Sequence, residues 1–145
     1  MDPLKQINDA KNAGTLPPKI FDLIQERFPI VLSGITRIEK ASKIKYPIAY
    51  VDPSITITDN SNSTDIGILF ARTIPVTLKN SVEIVIQISA PLVAYGLKGT
   101  IHAILAHEFL HYLELISRIS KMEIISDEIS SNLFENVYSD TTRLL

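Results

Sequence analysis

The 145-residue chain contains no cysteine. Disulfides are therefore excluded, and any zinc site has to be built from histidine and carboxylate ligands. A basic block is missing as well: 14 Lys and Arg stand against 16 Asp and Glu, for a net charge of −2. That balance excludes the clustered positive footprint of a nucleic-acid-binding surface. The one local basic cluster, Lys40, Lys43 and Lys45 next to Glu39, reads as a solvated face. No apolar run is long enough to span a bilayer; the longest uncharged stretch, Ile84 to Leu97, is interrupted by Pro91. The opening MDPLKQINDAKNAG is charged early and lacks the apolar segment of a signal peptide. Repeats and low-complexity segments are absent. A cytoplasmic protein with no membrane or nucleic-acid partner is expected.

Apolar residues make up 46% of the chain, and 23 of its residues are isoleucine. That content suits one domain, residues 1–145, with a tightly packed β-containing core and no need of staples. Residues 1–14 and 137–145 read as tails.

Residues 2–12 suit a short helix, ended by Gly14 and the pair Pro17-Pro18. Pro18 fits the first turn of a second helix, Lys19 to Arg27, which Pro29 should stop. Strand chemistry follows in YPIAYV (46–51), SITIT (54–58), IGILFART (66–73) and VEIVIQIS (82–89), with the polar TDNSNSTD (58–65) as a turn or loop. After Pro91 the period becomes helical from about Leu97 to Ile119, and again from about Ser126 to Tyr138. Strands grouped before helices indicate an α+β fold. The expectation is a small twisted sheet of three to four strands on a long helix, a second C-terminal helix, and N-terminal helices.

The long helix contains LAHEFLHYLE (105–114), in which His107, Glu108 and His111 form H-E-x-x-H. At about 100° per residue the two imidazoles project from adjacent turns only about 40° apart and can grip one ion. Glu108 lies about 100° from His107, beside the ion, where a carboxylate can accept a proton from an attacking water. Leu105, Phe109, Leu113 and Ile116 gather on the opposite face as a burial stripe. With three His in the chain, chance produces this pattern in roughly a few of every thousand shuffles. His102, about 140° from His107 on the apolar back, reads as a packing histidine rather than a ligand.

Two histidines leave a zinc ion short of its usual three protein ligands. No histidine follows His111, so a carboxylate must serve: Glu123, Asp127, Glu128 and Glu135 are the candidates. In SDEISSNLFE (126–135) Ser126 is an N-cap and Asp127 a first-turn acid that favours the helix dipole. Glu128, Ser131 and Asn132 share one face, which gives a ligand and a polar group able to orient a histidine. Glu128 is the preferred third ligand, with Glu135 and Glu123 as alternatives.

These residues resemble the gluzincins, the thermolysin-type zinc peptidases with two His and one Glu. HEFLH matches their first motif, and DEISSN (127–132) is similar to their second, N-E-x-x-S-D, with Asp127 in place of Asn and Asn132 in place of Asp. The resemblance covers about residues 82–138, and the chain's size is closest to the minigluzincins. It implies one zinc per chain, with His107, His111 and Glu128 as ligands and Glu108 as general base. It implies further that VEIVIQIS lines the cleft as an edge strand on which an extended peptide pairs, and that a terminal segment can block the cleft in a latent form. The larger gluzincins place a Tyr or His downstream to stabilise the oxyanion; Tyr138 is the candidate for that role, with packing as its alternative reading, in which case zinc and backbone hold the oxyanion alone.

The leading expectation is thus a zinc metallopeptidase with a peptide or protein substrate, monomeric or homodimeric. AHEFLHYL equally resembles the ImmA/IrrE regulatory peptidases, which act on one protein partner. A third reading is a non-catalytic module in which zinc only ties helices together.

Overall fold

The computed structural model describes residues 2–53, 70–79 and 81–120. Among them the chain is α+β: four helices and a three-stranded sheet. Helix α1 (Lys5–Asn12) buries Ile7 and Ala10, and the Pro3 carbonyl accepts from the Val51 N–H. Helix α2 (Pro18–Ser42) starts with Pro18 in its first turn, as expected. It does not stop at Pro29, however, and continues to Ser42.

Burial explains why the proline is overridden. Ile24, Phe28, Val31, Gly34 and Ile38 form one inward stripe that spans the proline, whereas Pro29 itself is exposed. Each fully buried Ile or Val contributes roughly 1.5–3 kcal/mol, enough together to offset about 3 kcal/mol for a proline inside a helix. With Pro29 on the wet side, the carbonyl it leaves unpaired can turn to water.

Strand β1 (Ile48–Asp52) pairs parallel with β3 (Ser81–Ser89), and β2 (Ala71–Leu78) pairs antiparallel with β3. The order is β1-β3-β2. VEIVIQIS is therefore the central strand among the described residues, which corrects the expectation of an edge. Its last five residues are buried on both faces, as a strand flanked on both sides requires. Leu78 pairs with Ser81 across a two-residue hairpin in which Lys79 takes φ 50. Of the expected strand over 66–73, residues 71–73 belong to β2, which runs on to Leu78 and includes Pro75; a strand that among the described residues pairs on one side only tolerates that proline. SITIT, the loop after it and residues 66–69 lie outside the described residues. So does the expected helix 126–138.

Helix α3 (Ala90–Tyr95), absent from the sequence expectation, is capped by Ser89, whose hydroxyl accepts from the Leu92 N–H at 3.2 Å. At its other end the Arg27 guanidinium donates to the carbonyls of Val93 and Gly96. Helix α4 (Lys98–Ser120) packs against α2, β2 and β3, with Leu105 and Phe109 fully buried. No helix among the described residues is long and apolar enough to cross a membrane.

The α2–α4 contact depends on Gly34. A Cβ there would lie 2.7 Å from His102 Cδ2 and 2.9 Å from Leu105 Cδ1. Leu105 is fully buried and the His102 ring is fixed by its hydrogen bonds, so neither can yield easily. Gly34→Ala gains about 1 kcal/mol in helix propensity but meets about 2–3 kcal/mol of overpacking. A net loss of roughly 1–2 kcal/mol is expected, read as a lower urea midpoint at unchanged slope; an increased midpoint would contradict this packing.

Candidate metal centre

Between Gly99 and Arg118, the exposed residues of α4 are His107, His111, Glu114 and Arg118. Their spacing of four, three and four residues makes a single stripe along the helix. The stripe Leu105, Phe109 and Leu113 is buried on the other side, as the sequence indicates, while Ile116 is half-buried. Phe109 stacks on Tyr46 with ring centroids 5.3 Å apart, and the Tyr46 hydroxyl donates to the Leu105 carbonyl at 2.8 Å. The helix is thereby held at Leu105 and Phe109, on either side of His107.

His107 Nε2 and His111 Nε2 lie 3.0 Å apart, and the rings meet edge-on at 88°. Two nitrogens on a tetrahedral zinc, each about 2.0–2.1 Å from the ion, would be about 3.3 Å apart. The pair thus needs to open by only a few tenths of an ångström to share an ion. With the ring protons on Nδ1, both Nε2 lone pairs are available to a cation. His111 Nδ1 then faces Glu114 Oε2 at 3.9 Å, the kind of outer carboxylate that orients a ligating imidazole. Glu114 had no assigned role in the sequence reading, although its i+3 spacing from His111 was the available signal.

Glu108 completes the group: ligand atoms of His107, Glu108 and His111 all lie within 4.8 Å of one another. The two histidines are exposed, whereas Glu108 is only 7% exposed. Its carboxylate Oε1 accepts from the Thr73 hydroxyl at 2.9 Å, and the same hydroxyl lies 3.0 Å from the Glu108 carbonyl oxygen. Thr73 comes from β2, so it is that strand which reaches Glu108 of the H-E-x-x-H motif. Nothing in the sequence pairs Thr73 with Glu108, 35 residues away.

His102 is 2% exposed. Its Nε2 lies 3.0 Å from the Ile30 carbonyl and 3.1 Å from Ser33 Oγ, and its Nδ1 is 3.5 Å from an Arg37 nitrogen. Because a carbonyl only accepts, the proton belongs on Nε2. The expected packing role is what the structure shows. Tyr112, four residues beyond Glu108, stacks on Phe109 at 5.9 Å, and burial pushes its hydroxyl pKa upward. It lines a cleft of about 440 Å³ with Lys45, Ile48, Glu83, Ile84 and Ile116. Glu123, Asp127, Glu128, Glu135 and Tyr138 lie outside the described residues.

No family model, curated protein or solved structure matches this chain. The metal-binding reading therefore stands on the His107–Glu108–His111 geometry itself.

Zinc supplied at one hundred times its Kd is expected to raise the unfolding free energy by about 2.7 kcal/mol, measured by urea titration with and without the ion. Chelation should reverse the gain, and His111→Ala should abolish it. Since that ring is exposed, the variant should lose less than about 0.5 kcal/mol in zinc-free buffer.

Proposed function

We propose that this chain is a small zinc peptidase of the gluzincin type, in which His107 and His111 hold the metal and Glu108 is the general base. The observation that carries this reading is the buried Glu108 carboxylate, set within 4.8 Å of two convergent exposed imidazoles and hydrogen-bonded from a different element. In a purely structural zinc site, Glu108 would serve no purpose as a buried non-ligand acid. Glu128 is proposed as third ligand and Tyr138 as oxyanion donor, on the motif resemblance alone.

Zinc held by these residues would supply Lewis acidity, lowering the pKa of a water to about 7 and polarising a peptide carbonyl. The chain's own contribution is positioning and proton transfer. The Glu108 carboxylate takes the proton as the water attacks, then delivers it to the departing amine. Substrate is proposed to lie extended along β2, which among the described residues pairs with β3 alone. The cleft beside Tyr112 is proposed to receive a side chain of the same peptide.

Glu108→Gln keeps a hydrogen-bond acceptor for Thr73 and removes the base. Zinc should still bind at one per chain, while turnover of casein or an internally quenched peptide library falls by about 10²–10⁴-fold. Wild-type turnover in that variant would sink the mechanism. Zinc binding with no hydrolysis of any library peptide by the wild type would instead favour a protease dedicated to one partner, or a non-catalytic site.

A further inference from the structure

We infer that Thr73 is a positioning residue for Glu108: its hydroxyl holds one carboxylate oxygen and so leaves the other to carry the proton. This inference rests on the peptidase reading for its catalytic meaning, but its geometry does not.

Thr73 sits opposite Ile86 in the β2–β3 ladder, on the row Thr73–Ile86–Ala49. The contact of Thr73 with Glu108 shows that this row faces α4, and the register of the sheet directs the hydroxyl at the helix. It has one proton and two acceptors within reach, Glu108 Oε1 at 2.9 Å and the Glu108 carbonyl at 3.0 Å. The carbonyl already lies within a continuous helix, where it accepts from the backbone N–H four residues on. The carboxylate has no such intrahelical partner, and an ionised acceptor draws the stronger bond. The proton therefore belongs on the side-chain bond.

The consequence is directional. A glutamate has three side-chain torsions, and a general base is effective only if its lone pair meets the water it deprotonates. One tether on Oε1 removes most of that freedom. Since the tether comes from β2, the strand proposed to hold substrate, base and peptide would be referenced to the same piece of backbone. A threonine that merely joined strand to helix would need only the carbonyl contact.

The test separates the two bonds. Thr73→Val has nearly the same shape and strand preference but no hydroxyl, and Thr73→Ser restores the hydroxyl. In zinc-free protein labelled with ¹³C-glutamate, the Glu108 side-chain carboxyl resonance, assigned by its loss in Glu108→Gln, should shift and broaden in Thr73→Val and return in Thr73→Ser. With zinc bound, kcat on the best library peptide should fall about tenfold to a hundredfold in Thr73→Val, with KM within about twofold and zinc affinity unchanged. Thr73→Ser should recover most of it. If Thr73→Val moves only the Glu108 backbone carbonyl resonance, or if Thr73→Ser behaves like Thr73→Val, the positioning role is wrong. If Thr73→Val shows the carboxyl shift and Thr73→Ser reverses it, yet the wild type hydrolyses no library peptide, the general-peptidase reading is overturned and the tether stands.

Discussion

Helix α4 is enclosed by α2 on one side and by β2 and β3 on the other, and the site exists because that enclosure leaves one stripe open. Burial of Leu105 and Phe109 fixes the rotation of the helix about its own axis. Once the rotation is fixed, 3.6-residue geometry puts His107, His111 and Glu114 on the wet side, with no freedom to exchange places with the core. The same rotation presents Glu108 to β2 and His102 to α2. Gly34 permits the close approach on the α2 side, and Tyr46 holds the Leu105 carbonyl from the loop before β1. A shift of α4 about its axis by one residue would bury an imidazole and expose Phe109.

The parts of this arrangement that follow from periodicity were legible in the sequence. H-E-x-x-H and the stripe Leu105, Phe109, Leu113 have spacings that only a helix reconciles, and the helix, found at Lys98–Ser120, matches the expectation within about a residue. YPIAYV and VEIVIQIS were likewise recognisable as strands from their β-branched content. What escaped was everything decided by contact across the fold. Pro29 carries a strong local stop signal, but the apolar positions on either side of it are satisfied together only if the helix runs on. The position of VEIVIQIS within the sheet is a matter of strand order, which no local pattern encodes. One hint was present: Ile84, Val85 and Ile86 are consecutive apolar residues, more typical of a strand covered on both faces than of a half-exposed edge. Thr73 and its bond to Glu108 had no sequence signal at all, because strand register sets it.

Glu108 and His102 are two buried polar groups on one helix, and their settings differ in a way that bears on function. His102 is met by a carbonyl, a hydroxyl and a guanidinium from α2. Such a group is settled: its hydrogen-bonding capacity is used, and it packs. Glu108 is an acid with four lone-pair sites, of which Thr73 engages one oxygen. The His107 and His111 ligand atoms lie within 4.8 Å of a Glu108 carboxylate oxygen, so a cation held by the two imidazoles would place a counter-charge beside the acid. A buried carboxylate beside two convergent imidazoles is the physical ground for reading the stripe as a candidate metal centre, rather than as polar decoration on a core helix.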